Sequence, residues 1–82
     1  RLERLGRSDT NTQLTMTLKL NGESKEFDAS EMALTALLSQ LGFGERPVLV
    51  EHNGIALRQR EHADTVVADG DQLEIILVVA GG

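Results

Sequence analysis

Side chains that commonly do nucleophilic, acid–base or metal chemistry are present in this sequence, but they do not gather. His52 and His62 stand ten residues apart, a spacing that makes no metal-ligand pair, and each lacks the convergent partners that a site requires. His52 adjoins Asn53-Gly54 and reads as a solvated turn residue. No serine sits in a G-x-S-x-G elbow. Gly42-Phe43-Gly44 lacks the strand-to-helix setting of a dinucleotide loop. Glu23, Glu26, Glu45, Glu61 and Asp64 read as a solvated acidic surface. The chemistry that remains is at the end of the sequence, Val78-Val79-Ala80-Gly81-Gly82. A strong strand there delivers a tail without side chains, able to take any backbone conformation and enter a narrow channel. Its terminal carboxylate is inert as it stands, because O⁻ is a poor leaving group. Adenylation by ATP would turn it into a mixed anhydride that a sulfur nucleophile can attack. On this reading Gly82 is the reactive residue, Gly81 gives access, and the rest of the chain is a handle.

Composition narrows what that handle can be. The 82 residues suit one small domain. Eight Lys and Arg against 13 Asp and Glu give a net charge of -5. That balance argues against binding nucleic acid and against an anionic membrane surface, both of which need clustered basic groups. Cysteine is absent, which removes disulfides, thiolate catalysis and thiolate-bound zinc, and fits a cytoplasmic setting. The longest apolar run, Ile75 to Ala80, is far shorter than a membrane span.

The elements that must position the tail are dense from Met16 onward. Residues 1–15 read differently, with three arginines and too few apolar residues to bury a face. They are expected to be a tag remnant or disordered extension, with the domain over 16–82. Met16, Leu18 and Leu20 alternate as in a half-buried strand. Asn21-Gly22 signals a tight hairpin returning through Ser24 to Asp28. Leu34, Leu37, Leu38 and Leu41 make one apolar helical stripe. Asp28 or Ser30 is the expected N-cap, with Glu31 completing a capping box after Asp28, and Gly42 is the expected C-cap. Val48 to Glu51 is a strand, Asn53-Gly54 a second tight turn, and Ile55 to Leu57 a short strand. Arg58 to Asp64 reads as irregular or one short helical turn. Asp69-Gly70-Asp71 is a third turn before a last strand in which Leu73, Ile75 and Leu77 alternate with Glu74 and Ile76.

That last strand is apolar on both faces at its end, so it belongs in the middle of a sheet. One helix is too few for a doubly wound fold. The expectation is therefore an α+β β-grasp (ubiquitin-like) roll: a mixed sheet of four to five strands packed on one helix. The expected core is Leu18, Leu20, Phe27, Leu34, Leu37, Leu38, Leu41, Val48, Val50, Leu57, Leu73, Ile75 and Leu77.

From Met16 to Gly82 the sequence also resembles the ThiS sulfur-carrier family. The matching residues are Val50-Glu51-His52-Asn53-Gly54, then Arg58, then Ala68-Asp69-Gly70-Asp71-Gln72-Leu73-Glu74-Ile75, and finally Val79-Ala80-Gly81-Gly82. Family members often have Thr or Ser near the position of Met32, which leaves the helix start open. The resemblance implies a carrier that is not itself an enzyme and binds no cofactor. An E1-like, ThiF-like enzyme would use ATP to adenylate Gly82. A persulfide donor would then convert the adenylate to a thiocarboxylate. Thiazole synthase, a ThiG-like TIM barrel, would accept the sulfur in thiamin biosynthesis. Ile76 and Val78, on the opposite face of the last strand from Leu77, are candidate docking residues, and packing within the domain is the competing reading. Three alternatives stay open: a MoaD-like small subunit of molybdopterin synthase, a ubiquitin-like protein modifier, and an interaction module whose glycines are incidental.

Overall fold

The computed structural model describes residues 15–79. The extension expected over 1–15 lies outside them except for Thr15, and so do Gly81 and Gly82. Strand β1 (Met16–Leu20) and strand β2 (Glu23–Phe27) form the first antiparallel hairpin. Its turn needs positive φ at two successive residues, and Asn21 and Gly22 supply 49° and 87°. Strand β3 (Glu31–Ala33) leads into helix α1 (Leu34–Gln40). Strand β4 (Val48–His52) and strand β5 (Ile55–Leu57) form a second hairpin through Asn53 and Gly54, at φ 52° and 86°. A 3-10 helix (Gln59–Asp64), strand β6 (Val66–Ala68) and strand β7 (Gln72–Leu77) complete the described chain.

The main sheet has the order β2-β1-β7-β4-β5, so the last strand occupies the centre as its double apolar character requires. It runs parallel to β1 and antiparallel to β4. With one helix against a mixed five-stranded sheet, the architecture is the expected β-grasp. Met16, Leu18 and Leu20 of β1, Leu34, Leu37 and Leu38 of α1, Val48 and Val50 of β4, and Leu73 and Ile75 of β7 form the core. Phe27, Leu41, Leu57 and Leu77 pack against it partly buried, so every expected core residue is in or beside it. Two fully buried side chains, Met16 and Val67, fall outside the expected set.

Val67 marks where local signals misled. Glu31 to Ala33 is not the first turn of the helix but a strand paired antiparallel with β6 in a second, two-stranded sheet. Neither Asp28 nor Ser30 caps α1. Its N-cap is Ala33, without a side-chain cap bond, and the Leu34 N–H donates instead to the Thr65 carbonyl at 2.9 Å. A tertiary strand pairing thus satisfies a donor that a local Ser or Asp would otherwise have taken. The C-terminus follows expectation: Gly42 is left-handed at φ 96°. Its N–H reaches the Ser39 carbonyl, while Phe43 N–H reaches the Leu38 carbonyl at 2.9 Å, a Schellman closure. The polar stretch after β5 is helical, one of the two forms expected for it. It forms the 3-10 helix, its entrance fixed by Glu61 Oε1 accepting the Arg58 N–H at 2.6 Å.

Candidate functional site

The tail is rooted by the central strand. Leu77 lies opposite Val48, and the Val78 N–H donates to the Pro47 carbonyl at 2.9 Å, one residue past the end of β7. Val79, the last described residue, is 76% exposed. The last described residues therefore follow directly from the central strand of the sheet. Gly81 and Gly82, expected to carry access and chemistry, lie outside the described residues.

Ile76 and Val78 are both exposed, at 57% and 42%. Ile76 stands opposite Leu49 in the β4–β7 ladder, and Leu49 is exposed as well. These side chains occupy the outer face of the sheet, away from α1, because Ile75 and Val50 take the inner positions. Ala56 of β5 joins Leu49 and Ile76 in lining a shallow groove, with Glu51, Gln72 and Glu74 beside them. Ile76 is thus exposed on the sheet face beside Leu49 and Ala56.

At the other end of β7 the turns hold the strand through asparagine side chains. Asn21 Oδ1 accepts the Ile75 N–H at 2.7 Å, and Asn21 Nδ2 donates to the Ile75 carbonyl at 3.1 Å. Its amide thus continues the parallel ladder beyond the point where β1 turns away. Asn53 does the same for the other edge: its Oδ1 accepts the Gln72 N–H and its own N–H donates to the Gln72 carbonyl, both at 2.8 Å. Asp71 closes this corner. It lies 2.8 Å from His52 Nε2, accepts the Ala68 N–H at 3.0 Å, and is reached by Asn53 Nδ2 at 3.3 Å. Burial works to raise the Asp71 carboxyl, but the bonds from His52, the Ala68 amide and Asn53 outweigh it and hold the pKa below the usual 3.8. His52 is accordingly a half-buried structural partner and not the solvated turn residue expected. His62, given no role by the sequence, is 5% exposed on the 3-10 helix, and its Nε2 has no hydrogen-bond partner. Among the described residues no cluster of His, Cys, Asp and Glu could hold a metal ion, and no helix is long and apolar enough to cross a membrane.

The network ties His52 and Asn53 of the second hairpin to Asp71, so two of the segments that carry the family resemblance meet in space. The model of the ThiS family matches residues 17–82. The chain belongs to the ThiS family. Among solved structures, the crystal structure of the thiamine biosynthesis protein ThiS from Geobacter metallireducens superposes with a TM-score of 0.71 at 36% identity, covering 82% of this chain and all of that one. The solution structure of a thiamine biosynthesis protein from the same organism gives 0.68 at 36% identity, over 82% of this chain and 88% of that one. A thiazole synthase of Paramagnetospirillum magneticum is 43% identical over 67 residues, which are 82% of this chain but only 20% of that protein's length. The uncharacterized protein ycf40 of Porphyra purpurea is 35% identical over 68 residues, covering 82% of this chain and 93% of that protein.

Proposed function

We propose that this ThiS-family chain carries sulfur for thiazole formation as a thiocarboxylate on Gly82. The observation that carries the reading is the family match over residues 17–82, which takes in Gly81 and Gly82, together with a tail rooted on the central strand. The similarity to a stretch of a thiazole synthase favours thiazole over a pterin as the destination. The chain is then a co-substrate with no turnover of its own.

Loading takes three steps and delivery a fourth. An oxygen of the Gly82 carboxylate attacks the α-phosphorus of ATP, which an E1-like partner binds, and pyrophosphate leaves. A persulfide on the donor attacks the carbonyl carbon, and AMP leaves with the electron pair. A second thiol then takes the outer sulfur's partner into a disulfide, which frees the thiocarboxylate. The thiocarboxylate sulfur then bonds to a carbonyl carbon of the substrate held by thiazole synthase, its bond to the Gly82 acyl carbon breaks, and the displaced carbonyl oxygen restores the carboxylate. Absence of side chains at Gly81 and Gly82 lets the terminus enter the activating site. Ile76 and Val78, with Leu49, form the surface on which partners dock.

Intact mass tests this directly. With ATP, an activating enzyme and a sulfur source, the carrier should gain the difference between one sulfur and one oxygen. An unchanged mass beside a positive control carrier contradicts the reading.

A further inference from the structure

The outer face of the sheet holds a feature that folding alone does not call for. In the β4–β7 register Glu51 stands directly opposite Glu74, two residues along from the Leu49–Ile76 pair and on the same face. Both carboxylates are exposed. Like charges directly opposite on neighbouring strands repel, so the pair opposes the sheet that displays it. No cation relieves it: among the described residues, neither glutamate is in an ion pair. Lys19, the basic residue of the neighbouring strand, stands level with Gln72 and not with Glu74. On the other side of Glu51 the opposing residue is Ala56, which offers no charge. Two carboxylates and two large aliphatic side chains therefore share one exposed groove, with Glu51, Glu74, Leu49 and Ile76 all lining it.

We propose that this groove is a composite docking site for a partner surface presenting a Lys or Arg beside an apolar side chain. The apolar part seats on Leu49 and Ile76, and the cation sits between Glu51 and Glu74. Binding then relieves a repulsion that the free carrier must carry, so the same two glutamates weaken the fold and strengthen the complex. Charge complementarity chooses this occupant over a second copy of the chain, whose identical acidic groove would double the repulsion. The proposal rests on the reading that an activating enzyme grips this chain at the root of its tail, since Ile76 lies two residues before Val78.

The test uses Glu51→Gln, Glu74→Gln and the double variant in the full chain. Either single change removes the like-charge contact, so each should raise the melting temperature by about 2–5 °C, and the double variant should add little more. With the activating enzyme, each single variant should lose roughly tenfold in efficiency of adenylation, measured by ATP–pyrophosphate exchange, with most of the loss removed in high salt. Leu49→Ala should lose activation without gaining stability. Equal exchange rates for wild type and double variant overturn the proposal. So does a melting temperature that falls on removing either charge, or a defect confined to sulfur delivery to thiazole synthase. Failure of the carrier reading looks different, because the wild-type chain would then support no exchange at all.

Discussion

Asn21 and Asn53 show how much one amide can do. Each occupies the left-handed position that its turn needs, and each also bonds the backbone of β7 with its side chain. Replacing Asn21 by Ala removes two bonds to Ile75 and leaves a partly buried donor and acceptor without partners. The expected loss is about 1–3 kcal/mol in denaturant unfolding, whereas a turn effect alone would be rescued by Gly at the same position. Asp71 gives a pH dependence of known sign. Its folded pKa lies below the ordinary 3.8. Its contribution is therefore complete above that value and is lost as pH falls toward the lower, folded one. The melting temperature of wild type should drop through that acid range more steeply than that of Asp71→Asn; parallel curves would remove Asp71 from the account. Gly81→Val tests access. Among the described residues the core is built between Met16 and Leu77, and the variant is expected to melt like wild type. A β-branched residue stiffens and widens the tail, so activation should still fail. Normal activation of this variant would exclude a narrow channel.

Among the elements, those with a period of their own were legible. The β1 alternation, the leucine stripe of α1, the Asn-Gly turns and the two-faced apolar β7 each announce their place before any contact is known. Elements that exist only because a distant segment pairs with them were not. Glu31-Met32-Ala33 carries a capping-box glutamate, and only its pairing with Val66 to Ala68 makes it a strand. Val66-Val67-Ala68 is too short to show alternation, yet Val67 is fully buried. The same limit hid the site's corner. His52 and Asp71 are 19 residues apart in sequence and meet only because β4 and β7 are neighbours. Pairing of β3 with β6 should therefore be a long-range, cooperative feature. Amide exchange at Met32 and Val67 should be as slow as in the central ladder, and fast exchange at both would show the small sheet to be marginal.

As a whole the molecule is a small core holding one strand in place. Burial of α1 against the sheet rests on Leu34, Leu37 and Leu38. In a domain of this size Leu37→Ala should cost about 2–5 kcal/mol, enough to lower the unfolding midpoint sharply in urea. The acidic net charge of -5 and an apolar-acidic outer face suit encounter with basic partner surfaces. The proposed function has reactivity installed from outside, at Gly82. The measurement that bears on it most directly is fragmentation mass spectrometry of the chain after reaction with ATP, the activating enzyme and a sulfur source. Sulfur in place of oxygen should be found only in fragments that contain Gly82. Sulfur found elsewhere in the chain, or none found while a control carrier is converted, would contradict the account.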